Sequence, residues 1–383
     1  MKKRGPLTVI ALISFLSLFL ASYSFAQQTE IKMGFQGVLS GVAAAIGDGA
    51  RKGAEFAVSQ TNKAGGIKGA QIKLIVIDDK ANPNDAVEAA QRLIEAEKVV
   101  AIVNGGTSTT FLASSKVAEK AKVPMVGHIQ SDPEITKRGN AYAFRICVNA
   151  AGLAYPIAEY AIKDLKLKKI AIMNRNDGYG NSIAEAFTKK VRELGGEITT
   201  VQSYAPGTKD FKANLIKARE TKPDGLMLTG FFDDSGLITR QTREIGMKVQ
   251  ILGQNTMSDP GYVRIAGTAA EGAILSSNYV AGVLNSKGAE NFEKEWKQKY
   301  NETPGSYAAH GYDAAMAIIE AIKHGSANSE SIRSELLKLK NFDGASGYVN
   351  KFRPNGDVDK VTPVVKIVKG KLVHLKTYMV KED

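Results

Sequence analysis

The feature that most constrains the fold is a regular alternation of short apolar runs with longer segments of helical period. Ile72 to Ile77 and Gly225 to Leu228 are apolar runs of strand length, and each is followed by a segment with apolar residues three or four apart. Strands that alternate with helices are typical of parallel sheets covered by helices on both faces. The alternation occurs twice along the chain. We therefore predict an α/β fold with two doubly wound parallel-sheet lobes.

The predicted elements follow one another without a low-complexity linker or an internal repeat. The predicted strands cover residues 31–38, 72–77, 99–103, 123–126, 142–146, 169–173, 197–204, 225–228, 249–252, 361–368 and 371–378. The predicted helices cover 47–62, 83–96, a segment starting after Ser108, 153–165, 180–194, 210–220, 234–245, 289–300, 307–324 and 329–339. The last three helices have no strands between them, and the final two strands are expected to form a hairpin around Gly370.

The first residues have the three parts of a secretory signal peptide. Lys2, Lys3 and Arg4 form a basic start, residues 7–20 are almost continuously apolar, and Ser24-Phe25-Ala26 has small residues at the −3 and −1 positions of a cleavage site. The apolar run is shorter than the roughly 20 residues that a membrane span needs. We expect cleavage after Ala26, and because no cysteine lies there, no lipid anchor.

Length, charge and cysteine content agree with an exported protein of two domains. A chain of 383 residues predicts two domains at about 150 residues each, large enough to need no disulfide. The formal net charge is +12, but the lysines are scattered, and export argues against nucleic acid as a partner. A basic surface mildly favours anionic ligands. The single cysteine, Cys147, lies between Ile146 and Val148 and is predicted to be a buried apolar residue.

The sequence lacks the usual catalytic and metal-binding motifs. It contains no Gly-x-Ser-x-Gly, no phosphate loop, no His-Glu-x-x-His and no cysteine pair. Its four histidines are far apart in the sequence, and His324 is predicted to end a helix. The pairs Asp78-Asp79 and Asp233-Asp234 are more typical of helix and turn caps than of acid–base couples. We therefore predict no enzyme, no cofactor and no metal site.

Candidate binding residues follow the predicted strands, because ligands of open parallel sheets bind at the carboxyl ends of the strands. In the first half, the loop of Thr107 and Ser108 could bind a carboxylate through backbone N–H groups and hydroxyls, or Thr107 could only cap a helix. The next loop contains His128, Ile129, Gln130 and Ser131, and His128 could donate a hydrogen bond to a ligand oxygen.

The second half offers aromatic and amide side chains at equivalent positions. Tyr179 lies between two glycines, Phe231 and Phe232 follow the strand at 225–228, and Gln254 and Asn255 follow the strand at 249–252. Aromatic side chains with a few polar groups are typical of a ligand pocket. Phe231 and Phe232 could equally be core residues.

The mature chain resembles the extracellular binding proteins for leucine, isoleucine and valine, which are type I periplasmic receptors of ABC transporters. The most specific segment is Asn62-Lys63-Ala64-Gly65-Gly66-Ile67-Lys68-Gly69, supported by residues 37–41, Tyr179-Gly180, Asp210-Phe211 and residues 352–357. The resemblance implies a periplasmic monomer that works with a membrane permease. It also implies three crossings between the lobes, near Ile146, Ser277 and Ser346. The first lobe would then comprise residues 27–146 and 278–346, and the second lobe 147–277 and 347–383.

The resemblance also assigns roles to the cleft residues. The positions of Thr107, Ile129 and Ser131 match groups that hold the α-carboxylate of the ligand, with Ser108, His128 and Gln130 nearby. Tyr179, Phe231 and Ile46 match positions that contact the rest of the ligand. Asn255 stands where amino-acid binders usually have a carboxylate for the ammonium group.

Two ligand hypotheses therefore stay open. The ligand is either a branched-chain or related amino acid, with Asp233 or Asp234 as a substitute partner for the ammonium, or an amine-free acid or amide. A sensory protein on the same fold and a secreted hydrolase are the alternatives from other functional classes.

Overall fold

The computed structural model describes residues 30–41, 43–137, 139–284 and 286–379. The predicted signal peptide and its cleavage after Ala26 lie outside these residues. Within the described part of the chain, no helix combines the length and the hydropathy that a bilayer span requires.

The first lobe is built on a sheet of five parallel strands in the order β2-β1-β3-β4-β5. The strands are β1 (Ile31–Gly37), β2 (Ile72–Asp78), β3 (Ile102–Gly105), β4 (Met125–Gly127) and β5 (Ala143–Arg145). The central strands β3 and β4 are completely buried, which explains why they appear as unbroken apolar runs. Because all five strands are parallel, their carboxyl ends lie along one edge of the sheet.

The second lobe is built on a sheet of seven strands in the order β14-β13-β10-β9-β8-β6-β7. These are β6 (Lys169–Arg175), β7 (Glu197–Tyr204), β8 (Gly225–Leu228), β9 (Gln250–Gly253), β10 (Ile274–Ser276), β13 (Val361–Val368) and β14 (Lys371–Met379). Strands β6 to β10 are parallel, whereas β13 and β14 form the predicted antiparallel hairpin at one side. The sequence did not reveal β10, because three residues are too few to show a period.

The helices occur close to their predicted positions. They are α1 (Ala44–Lys63), α2 (Pro83–Gln91, continued by a π-turn at Arg92–Ala96), α3 (Ser108–Lys120), α4 (Glu134–Lys137), α5 (Ala150–Glu159, continued by a π-turn at Tyr160–Asp164), α6 (Gly178–Glu193), α7 (Lys212–Glu220), α8 (Phe232–Glu244), α9 (Pro260–Ala266), α10 (Lys287–Tyr300), α11 (Ser306–His324) and α12 (Ser329–Lys338). The short helices α4 and α9 were not predicted. Helices α1 to α4 and α10 to α12 belong to the first lobe.

Helices α1 and α11 pack closely because glycines face each other at the contact. A methyl group added to Gly53 would overlap the backbone of Ala308, and one added to Gly311 would overlap the backbone of Ala50. Only glycine permits this separation between two helix backbones. The close contact places the first turn of α11 beside the cleft edge of the first sheet.

The chain crosses between the sheets after β5 and after β10, and a third time between Val358 and Val361. The predicted third boundary near Ser346 is too early. Residues 340–344 and 347–351 form a hairpin of two strands, β11 and β12, and Phe352 packs on Phe144 of β5 with ring centroids 5.6 Å apart. These apolar contacts hold residues 347–358 on the first lobe.

Candidate functional site

The carboxyl ends of the two parallel sheets face each other across a cleft. One buried apolar cluster runs from the first lobe into the second. Its first-lobe members include Ile46, Ile129 and Tyr307, and its second-lobe members include Tyr179 and Phe231. Four of the predicted binding residues thus meet in a single cluster, and the lobes are in contact around it.

Helix α3 begins at the cleft with a double hydrogen-bonded cap. Thr107 Oγ1 accepts from the backbone N of Thr110 at 3.2 Å, and the backbone N of Thr107 donates to Thr110 Oγ1 at 2.9 Å. The cap satisfies the backbone N–H of Thr110, the third residue of the helix. It leaves the N–H groups of Ser108 and Thr109 without an intrahelical acceptor. A helix start of this kind attracts an anion. Capping by Thr107 and binding of a carboxylate are therefore compatible roles.

The loop after β4 is fixed in place from its inner side. The amide Nε2 of Gln130 donates to Asn104 Oδ1 at 2.9 Å and to the carbonyl of Gly106 at 2.7 Å. Buried Arg145 donates from Nη1 to the carbonyls of Gln130 at 3.1 Å and Asp132 at 2.8 Å. The side chain of Gln130 thus joins the two binding loops, which is a positioning role, and its predicted contact with the ligand stays a prediction.

Ser131 presents a hydroxyl of this loop that remains available. Its side chain is fully buried, and among the described residues its Oγ has no hydrogen-bond partner. Ser108 Oγ accepts from the neighbouring backbone N of Asp132 at 3.4 Å, which holds the loop against the start of α3. The Ser131 hydroxyl and the free N–H groups of α3 therefore lie on adjoining segments of one lobe.

The second ring nitrogen of His128, Nε2, is placed to accept a hydrogen bond and not to donate one. Its Nδ1 lies 3.0 Å from the carbonyl oxygen of Asn104, which can only accept, so Nδ1 carries the proton. Burial lowers the pKa of His128 to about 3, so the ring is neutral. The buried Nε2, which has no partner in the described chain, is then a hydrogen-bond acceptor. The geometry at Nδ1 favours acceptance at Nε2, and the donation from His128 to a ligand oxygen stays a prediction that would need the proton on Nε2.

Tyr179, Phe231, Gln254 and Asn255 lie together on the second-lobe side of the cleft. The ring centroids of Tyr179 and Phe231 are 5.3 Å apart. Gln254 Nε2 donates to the carbonyl of Gly230 at 2.9 Å, which leaves its Oε1 to accept from the Tyr179 hydroxyl. The Tyr179 hydroxyl is also 3.1 Å from the fully buried amide of Asn255. The sequence analysis placed Gln254 near the cleft but gave it no role.

The two acidic side chains after β8 are already paired with cations. Asp234 is fully buried and forms an ion pair with Arg175, whose Nε also lies 2.6 Å from Asp177 Oδ2. Asp233 lies 3.9 Å from the Nζ of Lys209. The guanidinium of Arg175 is 4.3 Å from the centre of the Phe231 ring. Both aspartates are thus already engaged with cations, although Asp234 shares Arg175 with Asp177 and its Oδ1 has no hydrogen-bond partner among the described residues.

The sequence model of the periplasmic binding protein family matches residues 30–371, which is most of the chain. The chain belongs to this family. Its members are solute-binding proteins and not enzymes, and family membership implies a periplasmic location. Two relatives from Brucella are named as Leu/Ile/Val-binding protein homologues. Homologue 3 of Brucella melitensis is 29% identical over 94% of this chain and 97% of its own length, and homologue 8 of Brucella suis is 30% identical over 91% and 90%.

Solved structures of periplasmic binding proteins share the fold. A leucine-binding protein from Thermotoga maritima has a TM-score of 0.85 at 30% identity and covers 91% of this chain and 98% of its own. A branched-chain amino acid binding protein from Streptococcus pneumoniae, solved with isoleucine, has a TM-score of 0.85 at 29% identity and covers 92% and 100%. The chain is thus a type I periplasmic binding protein of an ABC transporter, as the resemblance predicted.

The described part of this binding protein contains no group of three or more histidine, cysteine or acidic side chains placed to hold a metal ion. Cys147 is buried, and burial raises the pKa of its thiol to about 12, so the thiol is not a nucleophile at neutral pH.

Sequence reasoning missed Arg175 and Tyr307 as cleft residues. Arg175 ends strand β6, where its charge alone suggested a surface position. Tyr307 is in the first turn of α11, which follows no strand. Only the packing of α11 on α1 brings Tyr307 to the cleft.

Proposed function

We propose that this protein captures a small carboxylate without an ammonium group by closing its two lobes around it, and delivers it to a membrane permease. The observation that carries the proposal is the neutral amide of Asn255, which is fully buried where amino-acid binders usually have a carboxylate. Asp234, the alternative partner that the sequence suggested, is in an ion pair with Arg175, a cation that it shares with Asp177. A buried ammonium needs a negatively charged partner, because burying an unpaired ion is far more costly than burying a neutral group.

The first-lobe wall supports the carboxylate. The N–H groups at the start of α3 and the hydroxyls of Thr107 and Ser131 are neutral donors next to a positive helix end. Apolar contacts from Ile46, Ile129 and Phe231 would surround the remainder of the ligand. Ser108 and Gln130 would hold the loops in position, and Tyr179 would hold the amide of Asn255.

A branched-chain amino acid is the second candidate. The names of the Brucella relatives and the isoleucine complex of the Streptococcus protein favour it. Under this alternative, carbonyl and amide oxygens of the cleft would have to hold the ammonium without a carboxylate. Charge-assisted hydrogen bonds are worth about 1.5–3 kcal/mol, so we expect a weaker complex.

Thermal-shift measurements on matched pairs separate the two candidates. The pairs are leucine with 4-methylpentanoate, and valine with 3-methylbutanoate. A ligand at about 100 times its dissociation constant adds about 2.7 kcal/mol to the stability of the folded state. We expect stabilisation by the amine-free member of each pair. Stabilisation by leucine or valine alone would contradict the proposal and support the second candidate.

The role of Thr107 is tested by Thr107→Ala, with Thr110→Ala as the matched control. Both changes remove one half of the cap, and each should cost about 1 kcal/mol in stability. Only Thr107→Ala removes a hydroxyl that we place against the ligand carboxylate. Calorimetry with the amine-free acid that stabilises the unmodified protein should therefore show that Thr107→Ala loses at least tenfold in affinity for this acid. Thr110→Ala should lose less. Equal affinities of the two variants would remove Thr107 from the site.

A further inference from the structure

A second group of buried polar atoms includes His128 of the loop after β4 and residues of α11, β10 and β13. Among the described residues these atoms have no hydrogen-bond partner: His128 Nε2, Tyr307 Oη, His310 Nε2, Ser276 Oγ, both amide atoms of Asn278, and Thr362 Oγ1. All of these side chains are at least nine-tenths buried. Buried polar atoms nearly always have partners, so an unpaired group of this size indicates a site that binds something.

The first-lobe members of this group are close together. His128 follows β4, and Tyr307 and His310 are in the first turns of α11. The rings of His128 and Tyr307 have centroids 6.3 Å apart. Burial is the main cause that lowers the pKa of His310, and the charges of Lys360 and His128 act in the same direction, which is consistent with the two imidazoles lying near each other.

The second-lobe members lie at the crossings between the lobes. Strand β10 pairs with β9 in the register Leu275 to Gly253, so Ser276 follows level with Gln254 and Ser277 level with Asn255. The backbone N of Ser277 donates to the carbonyl of Pro363 at 2.9 Å, which places Thr362 next to Asn278. The two lobes are joined here through Ser346, which contacts both Asp313 of α11 and Lys360 of the last crossing.

The two imidazoles define the chemistry that this group needs. His310 Nδ1 is 2.8 Å from the carbonyl of Ser306, just as His128 Nδ1 faces the carbonyl of Asn104, so both Nδ1 atoms carry the proton. Burial lowers the pKa of both rings. Each Nε2 can therefore only accept, whereas hydroxyls and amides can do either. A group that satisfies both Nε2 atoms must donate hydrogen bonds.

We propose that these residues form a second polar subsite of the same cleft, which binds a hydroxyl or amide N–H at the end of the ligand away from its carboxylate. His310 Nε2 accepts from this donor, whose single proton serves one imidazole, and Ser276 and Asn278 complete its hydrogen bonds from the second lobe. The inference rests on the proposed function and narrows its ligand class to acids with a distal hydrogen-bond donor.

Two sets of four ligands test the amine and the hydroxyl independently. The aromatic set is tyrosine, phenylalanine, 3-(4-hydroxyphenyl)propanoate and 3-phenylpropanoate. The short set is threonine, 2-aminobutanoate, 3-hydroxybutanoate and butanoate. Calorimetry should show that in at least one set the hydroxylated acid binds at least tenfold more tightly than its deoxy partner, because a site built around a hydroxyl rejects an analogue that leaves its acceptors unpaired. Equal affinities, or no binding by any hydroxylated member, would overturn the inference.

The proposed function and this inference fail in different ways. Tight binding only by members with an amine contradicts the proposed function, whatever the hydroxyl does. A preference for amine-free acids with no effect of the hydroxyl leaves the proposed function intact and overturns the second subsite.

His310→Phe, compared with His324→Phe, tests the residue itself. His324 is on the same helix and has the same contact from Nδ1 to the carbonyl four residues before it, at 2.9 Å, but its side chain is exposed. We expect His310→Phe to abolish the preference for the hydroxylated ligand and His324→Phe to retain it. A retained preference in folded His310→Phe would overturn the assignment.

A measurement on the unmodified protein covers the case in which His310→Phe does not fold. In nitrogen-15 NMR spectra the resonance of the unprotonated Nε2 atom of His310 should shift on binding of the hydroxylated ligand and not of the deoxy ligand. A resonance that responds identically to both ligands would overturn the inference.

Discussion

At the scale of single residues, the neighbours of Asp234 decide what its carboxylate can do. The sequence suggested Asp234 as a partner for an ammonium group. In the fold, Arg175 from the end of β6 reaches it and also contacts Asp177 and the Phe231 ring. The pair is buried, so each charge depends on the other.

Arg175→Met should destabilise the protein by about 3 kcal/mol or more, because it leaves the Asp234 carboxylate buried without its cation. Arg51→Met is the control, since Arg51 contacts Asp48 and Glu55 on the surface of α1 and should lose less than about 1 kcal/mol. Urea unfolding measures both changes. Addition of Asp234→Asn to Arg175→Met should recover part of the loss. A cost of Arg175→Met similar to that of Arg51→Met would show that the pair is not coupled.

At the scale of elements, the start of α6 contacts the first lobe directly. A methyl group added to Gly178, the first residue of α6, would lie 2.8 Å from Asp132 Oδ2 and 3.4 Å from Thr109 Oγ1. The φ angle of Gly178 is not in the left-handed region, so the backbone itself does not require glycine. The close approach across the cleft is the feature that requires a small residue there.

Gly178→Leu should hinder closure while leaving each lobe intact. We expect at least a tenfold loss of ligand affinity with little change in the stability of the ligand-free protein. Lys189→Leu, at an exposed position of the same helix, is the control for an added surface leucine. Small-angle scattering should show compaction of the control protein with a tight ligand and less compaction of Gly178→Leu. Identical profiles of the unmodified protein with and without the ligand would contradict hinge closure.

At the scale of the whole molecule, a buried polar network joins the lobes at the last crossing. The Asp313 carboxylate accepts from the backbone N atoms of Ala345 at 2.6 Å and Ser346 at 2.8 Å, and the Ser346 hydroxyl links it to the Nζ of Lys360. Burial raises the pKa of Asp313 and lowers that of Lys360 from 10.5 to about 8, although the Asp313 charge opposes the shift of Lys360. The network holds the last crossing on the first lobe.

The lowered pKa of Lys360 predicts a pH dependence of stability. Between about pH 8 and 10.5 the unfolded chain binds a proton at Lys360 that the folded chain lacks, so this group makes the free energy of unfolding rise with pH across that window. Across the full window, Lys360 changes the free energy of unfolding by an amount on the order of 3 kcal/mol. Cys147 and the buried tyrosines act in the opposite direction at high pH, because burial raises their pKa values.

Urea unfolding at pH 7.5 and 9.5 of the unmodified protein and of Lys360→Met isolates the lysine. The unmodified protein should gain stability relative to Lys360→Met as the pH rises. Lys376→Met, which removes an exposed lysine, should follow the unmodified protein. A difference between the unmodified protein and Lys360→Met that does not change with pH would show that Lys360 has an ordinary pKa in the fold.

Much of the architecture was predictable because it depends on local patterns. The strands at Glu197–Tyr204 and Gly225–Leu228 were predicted with their observed bounds, and most helices within a few residues. The period of the apolar residues reports which face of an element is buried. The elements that escaped prediction, such as β10 and α9, are too short to show a period. The third crossing was misplaced because the contact of Phe352 with Phe144 joins distant parts of the chain.

The sequence by itself determined the α/β class, the two lobes, the family and the loops that carry Thr107, Ser131, Tyr179 and Asn255. The class, the lobes and the loops follow from local periodicity and from the rule that parallel strands present their carboxyl ends at one edge, whereas the family follows from a resemblance carried by motifs such as residues 62–69. Only the tertiary structure decided the charges and hydrogen-bonding roles of the cleft. It paired Asp234 with Arg175 and made His128 an acceptor, because burial and the nearest partner set the protonation of a side chain, and both depend on residues far away in the sequence.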